Sequence, residues 1–134
     1  DYIFSWEKML AMDGNTAPYL QYVHARVRSI FRKAGISGDG LSVQHLQSPQ
    51  EQTLAKHILR FGEIAESVAR DLKPHVLSNY LYDLATKFSG FYENCPVLQS
   101  EEPIRSSRLA LAHLTARTMA QGLDLLGIEH PEQM

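Results

Sequence analysis

Residues 14–35 read GNTAPYLQYVHARVRSIFRKAG, and this segment contains the clearest helical pattern in the chain. Its apolar residues recur every three or four positions, which is the period of one face of an α-helix. Asn15 or Thr16 can cap the start of this helix, and Pro18 fits its first turn because those N–H groups have no helical partner. Gly35 is suited to end it. The sequence predicts an amphipathic helix whose apolar stripe is Leu20, Val23, Val27, Ile30, Phe31 and Ala34.

Helical signals continue on both sides of this stretch. Ser5 can cap a short first helix, and residues 35–47 read as a loop. The run Ser48-Pro49-Gln50-Glu51 is a capping box, after which one apolar face continues to Leu72 while Gly62 breaks or bends the helix. Pro74 and Pro103 open two further long helices. With no strand-like alternation, the sequence predicts an all-α fold: a helical bundle of five or six helices in a single domain over residues 1–134.

Composition bounds the class of protein. A chain of 134 residues is enough for one domain with a single core, and its only cysteine, Cys95, excludes an internal disulfide framework. No apolar run approaches the roughly 18–20 residues that span a bilayer, and the first residues do not resemble a signal peptide. We expect a cytoplasmic protein that binds no membrane, cut from a longer chain.

Charge is distributed unevenly. The net charge is −2, yet the segment between Gly14 and Gly38 holds four cations and no acid. A local basic patch can attract phosphate even when the total charge is negative. A solvated basic helix face explains the same pattern. The four cations are Arg26, Arg28, Arg32 and Lys33, of which Arg28 and Arg32 are expected to point towards solvent.

The sequence contains no catalytic constellation. Its six histidines form no ligand pair on one helix face, which predicts scattered, partly exposed histidines and no metal site. Neither glycine-rich phosphate-binding motif is present, and Cys95 ends an apolar stripe as a core thiol would. We therefore expect no catalytic residue and no cofactor in this chain.

Recognition chemistry remains. Tyr19 and Tyr22 lie one helical turn apart beside Arg26, and Tyr92 lies near the end of another helix. Unpaired bases bind by stacking on aromatic rings while cations hold the backbone. Tyrosines that simply complete a core are the plainer interpretation of the same spacing.

Three ordered motifs resemble one family. Residues 14–30 resemble the G-N-T-[AG]-P-Y-L-Q-Y-x-x-x-R-x-R-S-[IV] stretch of arginyl-tRNA synthetases. Residues 88–98, FSGFYENCPVL, are similar to that family's F-x-x-F-Y-x-x-C-P-V. Segments 108–117, 122–128 and 131–134 look like its C-terminal end. The resemblance covers nearly the whole chain.

The resemblance implies a helical anticodon-binding domain whose partners are an arginine-accepting tRNA and the parent catalytic domain, with no DNA partner. The parent would be an arginine-tRNA ligase that uses ATP with Mg on a separate domain, whose H-I-G-H-like and K-M-S-K-like signatures are absent here. The family's anticodon site maps onto Tyr19, Tyr22, Tyr92 and Met134. We expect Arg26, Arg28 and Arg32 to contact phosphates.

Two positions depart from the family pattern. Some relatives carry an aromatic residue where this chain has Pro96, so one stacking platform can differ. The usual E-R-M end is Glu132-Gln133-Met134 here, which removes one terminal cation.

Two alternatives stay open at this stage: a helical protein-interaction bundle that binds no RNA, and the anticodon domain of a cysteinyl-type class I synthetase. For Arg108 we favour structural pairing with an acid over contact with tRNA, and the same holds for Arg117.

Overall fold

The computed structural model describes residues 3–134. These form six helices: α1 (Trp6–Met9), α2 (Ala17–Ala34), α3 (Pro49–Leu59), α4 (Phe61–Asp71), α5 (Pro74–Asn94) and α6 (Ile104–Leu125). No strand occurs among the described residues, so the predicted all-α bundle of five or six helices is confirmed. Within that range no helix has both the length and the apolar character needed to cross a membrane.

Local chemistry fixes the ends of α2. The Thr16 hydroxyl accepts a hydrogen bond from the Tyr19 N–H at 3.2 Å, as an N-cap residue does. Gly35 ends the helix with φ 68°, in the left-handed region that glycine adopts without steric cost. Both ends agree with the sequence prediction, which offered Asn15 or Thr16 as the cap.

α5 lies at the centre of the bundle and packs against α2, α3, α4 and α6. Its close approach to α6 depends on Gly122, because a Cβ atom there would lie 2.5 Å from Cδ2 of Leu81. The apolar stripe that the sequence predicts for α5 is entirely buried: Leu77, Leu81, Leu84, Phe88, Phe91 and Cys95.

A buried carboxylate joins α3 to α6. The N–H groups of Gln47 and Ser48 each donate to Oε2 of Glu51 at 2.7 Å, and Arg108 Nε donates to Oε1 at 2.6 Å. Burial by itself would raise the pKa of Glu51, but these hydrogen bonds hold it below its ordinary value. The capping box and the structural pairing of Arg108 are confirmed. The same pairing predicted for Arg117 is wrong, because Arg117 is exposed and makes no ion pair within residues 3–134.

The segment around α4 differs from the prediction at two positions. The break between α3 and α4 falls at Arg60, two residues before Gly62. Leu72, predicted on the apolar face, is 82% exposed and left-handed with φ 55°. The reason is local: Pro74 disfavours a helical backbone at Lys73, so α4 must end before that residue.

The prediction of scattered, partly exposed histidines is wrong for two of the six, because His24 and His57 are buried. The His57 ring stacks on Tyr80 with centroids 4.2 Å apart. Its Nε2–H donates to the Tyr80 carbonyl at 3.0 Å, and the Tyr80 hydroxyl donates to the His57 carbonyl at 2.7 Å. Burial lowers the pKa of His57 and raises the pKa of Tyr80 to about 12.

Candidate nucleic-acid interface

The buried stripe of α2 separates two polar flanks of this helix. Residues three, four or seven positions apart share a helix face, so the polar residues sort into two groups. The first group faces α5 and the second faces the C-terminal segment. The first flank consists of Tyr19, Tyr22 and Arg26, and the second consists of Gln21, His24, Arg28 and Arg32.

The first flank runs beside α5, and the two helices point in the same direction. The ring centroids of Tyr19 and Tyr82 lie 5.9 Å apart with the planes tilted by 58°. Further along both helices, the guanidinium carbon of Arg26 lies 5.2 Å from the centroid of the Tyr92 ring. This distance is within the range of a cation–π interaction. The two helices thus form one continuous surface, which we call the aromatic face: Tyr19, Tyr22, Arg26, Tyr82 and Tyr92.

Solvent reaches the aromatic face unevenly. Tyr22 is 40% exposed and Tyr92 is 36% exposed, and Arg26 is exposed beside them. Tyr19 and Tyr82 are half-buried where α2 meets α5. None of the predicted tyrosines is therefore fully buried in the bundle. Tyr22, Arg26 and Tyr92 provide most of the solvent-exposed surface of the aromatic face.

The tyrosine hydroxyls distinguish this face from the core. Buried Tyr80 donates its hydroxyl to the chain itself. None of the four hydroxyls on the aromatic face has a hydrogen-bond partner between Ile3 and Met134. A phenol with an apolar edge and an unused hydroxyl suits a partner that presents both a flat ring and polar atoms.

The Tyr92 ring packs against a buried ring of the same helix. Buried Phe88 stacks on it with centroids 5.9 Å apart and planes 23° apart, which restricts the ring's orientation. Pro96 lies with Tyr92 along one groove. The groove has a volume of about 320 Å³ and is lined by Tyr92, Glu93, Pro96, Val97, Leu98 and Gln99.

Sequence reasoning missed Tyr82. Its only local signal is an aromatic side chain outside the apolar stripe of α5. Its place beside Tyr19 depends on the register between α2 and α5, which is also fixed by the hydrogen bond from Asn15 Nδ2 to Asn79 Oδ1 at 2.9 Å. No periodicity within one helix reports that register.

The second flank of α2 holds the C-terminal segment. Arg32 donates to the Glu132 carbonyl at 2.6 Å, and Arg28 Nε lies 3.7 Å from Oε2 of Glu132. The expectation that Arg28 points to solvent is wrong, because only 18% of its side chain is exposed. Arg32 is exposed as expected, yet it is engaged by the chain.

Arg28 also reaches α6. Its guanidinium donates to Nδ1 of His113 at 3.2 Å, so the proton of the neutral ring is on Nε2, which lies 3.8 Å from Asp39. Burial and the nearby Arg28 charge lower the pKa of His113. These groups border a cavity of about 460 Å³ between α2, α6 and the loop after α2, together with Phe31, Arg32, Gly35, Ile36, Ser37 and Glu132.

The structure thus brings together four of the predicted site residues and separates three. Tyr19, Tyr22, Arg26 and Tyr92 share the aromatic face, whereas Arg28 and Arg32 lie on the other flank of α2. Met134 is 63% exposed and stands two residues beyond Glu132, at the end of the segment which that flank holds.

Comparison with known proteins shows the family to which the chain belongs. The family profile described as "DALR anticodon binding domain" matches residues 20–134. The fold is that of an all-α anticodon-binding domain, and the chain belongs to the DALR anticodon-binding domain family.

More particular likenesses are to one kind of enzyme. The chain is 52% identical over 136 aligned residues to an arginine–tRNA ligase of Mannheimia succiniciproducens and 56% identical to one of Erwinia tasmaniensis. Each alignment covers 100% of this chain and 24% of the relative, so the chain spans about a quarter of their length.

Solved structures give the same result. The arginyl-tRNA synthetase of Thermus thermophilus superposes with a TM-score of 0.89 and 41% identity, covering 98% of this chain and 23% of that one. The Plasmodium falciparum arginyl-tRNA synthetase superposes with a TM-score of 0.88 and 38% identity, covering 100% of this chain and 24% of that one. The resemblance stated from the sequence motifs is confirmed.

Proposed function

We propose that residues 1–134 form a single anticodon-binding domain that holds the anticodon stem and loop of an arginine-accepting tRNA for a longer arginine-tRNA ligase. One observation carries the proposal: Tyr22, Arg26 and Tyr92 converge on an accessible surface in which Arg26 lies over the Tyr92 ring. A cation beside exposed aromatic rings suits unpaired bases joined by phosphates.

On this proposal, Tyr22 and Tyr92 stack on splayed bases of the loop, and Tyr19 and Tyr82 extend the platform where the helices meet. The unused hydroxyls supply hydrogen bonds to base edges. Arg26 covers the Tyr92 ring in the free protein. A base that stacks there takes its place, and the released guanidinium turns to a neighbouring phosphate.

Arg28 and Arg32 do not belong to the aromatic face. Their guanidinium groups are engaged with His113 and Glu132, on the flank of α2 away from the aromatic rings. Their contact with phosphate remains a prediction, and the salt dependence of binding tests it. Each phosphate contact that is removed flattens the slope of log K against log salt by about 0.7–0.9.

The rest of the ligase supplies the reaction in this proposal. Arginine is activated with ATP and Mg on a catalytic domain elsewhere in the parent, which acts in the cytoplasm, and this chain alone aminoacylates nothing. The two alternatives, an interaction bundle without RNA and a cysteinyl-type anticodon domain, are not favoured. The family profile describes an anticodon-binding domain, and the relatives and solved structures are arginine enzymes.

Titration of the parent ligase with arginine tRNA and with a noncognate tRNA tests the proposal. Losing one stacked base costs roughly 1–3 kcal/mol, so Tyr92→Ala is expected to raise the Kd for arginine tRNA roughly 5- to 150-fold. Tyr92→Phe keeps the ring and serves as the matched control, with a much smaller loss. Unchanged affinity in both Tyr92→Ala and Tyr22→Ala would refute the role of the aromatic face.

A further inference from the structure

The C-terminal segment after α6, residues 126–134, has no regular secondary structure, yet it follows α2 along its second flank. Gln21 Nε2 donates to the Glu129 carbonyl at 2.8 Å. His24 Nδ1–H donates to the Pro131 carbonyl at 3.1 Å, and Arg32 donates to the Glu132 carbonyl at 2.6 Å. Residue numbers rise together on both sides, so the segment lies parallel to α2.

These three donors bind main-chain carbonyls, which makes the contacts nearly independent of the side chains in the segment. Two side-chain contacts also join the segment to α2: the Arg28–Glu132 pair at 3.7 Å, whose carboxylate is largely exposed, and the edge-on contact between the His24 and His130 rings. An ion pair at that distance with an exposed carboxylate contributes little. The segment is therefore held mainly through its backbone carbonyls, and Gln21, His24 and Arg32 are its anchors.

The segment is also fixed where it leaves α6. The Ile128 N–H donates to the Leu123 carbonyl at 2.9 Å, and the Ile128 side chain packs against the core. His130 Nε2 lies 2.9 Å from Oδ1 of Asp124, and its ring meets that of His24 edge-on at 5.2 Å. Contacts thus continue from Ile128 to Glu132, and two residues remain beyond the last of them.

We propose that Gln21, His24 and Arg32 are positioning residues that hold Met134 in place for the tRNA. The proposal rests on the proposed function together with the family resemblance, which maps Met134 onto the anticodon site. An unanchored segment would have to be ordered when the tRNA binds, and the apparent Kd rises by the inverse of the fraction that is already in place. If release leaves about a tenth of the molecules competent, the Kd rises about tenfold.

The proposal makes a different prediction from phosphate contact for the same arginine. An anchor acts through Met134, so its loss matters only while Met134 is present. A phosphate contact acts directly, so its loss matters equally with or without Met134, and it flattens the salt slope.

A double-mutant cycle in the full-length ligase tests this. One arm is Gln21→Ala/Arg32→Ala, the second is deletion of residues 133–134, and the third combines them. We expect the anchor variant to raise the Kd for arginine tRNA about tenfold in the complete chain. In the truncated chain we expect less than about a twofold effect, with an unchanged salt slope in both. Arg70→Ala, which removes an exposed guanidinium from α4, is the matched control.

Limited proteolysis of the free ligase with a Glu-specific protease gives a readout without tRNA, because Glu129 and Glu132 lie within the anchored segment. Cleavage after these residues is expected to be faster in the anchor variant, unchanged in Arg70→Ala, and partly slowed again in Gln21→Ala/Arg32→Lys. Unchanged cleavage, or equal Kd effects in the complete and truncated chains, would overturn the proposal. If truncation leaves the Kd unchanged while Tyr92→Ala weakens binding, the positioning role fails and the proposed function stands. If Tyr92→Ala and Tyr22→Ala also leave it unchanged, the proposed function fails as well.

Discussion

Residues of one type do different work in this chain, and the partners of their polar atoms show which. Tyr80 uses its hydroxyl inside the core, whereas Tyr22 and Tyr92 leave theirs free at the surface. Among the arginines, Arg26 lies over an exposed ring and Arg108 serves a buried carboxylate. Residue type alone therefore does not separate a binding residue from a structural one.

Arg108→Ala is expected to destabilise the chain strongly. It removes the guanidinium from Glu51, which stays buried and charged with only two N–H partners. Breaking a buried pair on one side costs about 3–5 kcal/mol. Urea unfolding measures the loss, and Arg60→Ala is the control because its pair with Glu63 is exposed and worth at most about 1 kcal/mol. Similar losses in both variants would show that the Glu51 pair is not special.

At the scale of elements, the distance between α5 and α6 governs the packing of the bundle. Both helices contribute long buried stripes, and the aromatic face depends on where α5 lies against α2. Gly122 permits the approach of α6 to Leu81, while Gly90 in α5 has no atom within 4 Å of an added Cβ. The two glycines thus have the same chemistry in different surroundings.

Gly122→Ala and Gly90→Ala are expected to change stability in opposite directions. Overpacking a tight core costs about 1–3 kcal/mol, so Gly122→Ala lowers the free energy of unfolding. Alanine is the better helix former by about 0.5–1 kcal/mol, so Gly90→Ala raises it. Thermal unfolding of the two variants side by side checks the signs. A stabilised Gly122→Ala would mean that Leu81 shifts without cost.

At the scale of the whole molecule, folding places His24, His57 and His113 where each has a lowered pKa, in every case chiefly through burial. They lie on three different helices. His24 contacts the C-terminal segment, His57 contacts α5, and His113 contacts the loop after α2. The Nδ1–H of His24 donates to the Pro131 carbonyl. Its buried Nε2 has no hydrogen-bond partner within residues 3–134, so a second N–H formed by protonation would have no acceptor there. Protonation of any of these three histidines therefore destabilises the folded chain.

Stability is expected to fall on acidification. The unfolded chain titrates its histidines near the ordinary value of 6.5, above the folded values, so below that pH it binds protons that the folded chain does not. The histidine contribution is complete above about pH 6.5 and is lost as the pH falls below it. Urea unfolding between pH 8 and pH 5 measures this slope. His57→Gln should make it shallower, and exposed His75→Gln is the control. Equal changes in the two variants would contradict the assignment.

Most of the helices and the family could be predicted from local sequence patterns. Caps, stops and apolar periodicity act between residues a few positions apart, which is why the capping box at Ser48, the end at Gly35 and the buried stripe of α5 could be predicted. The GNTAPYLQY run indicated the family from residue identities alone, without any structural information.

The contacts made by the two flanks of α2 could not be predicted from local patterns, because they depend on how the helices pack. Periodicity says which residues share a face, but it does not say what packs against that face. Tyr82 joined the aromatic face through the register between α2 and α5, and Arg28 turned inward because His113 lies 85 positions along the chain yet 3.2 Å away. Contacts between residues so far apart in sequence depend on how whole helices pack, and local chemistry carries no record of that.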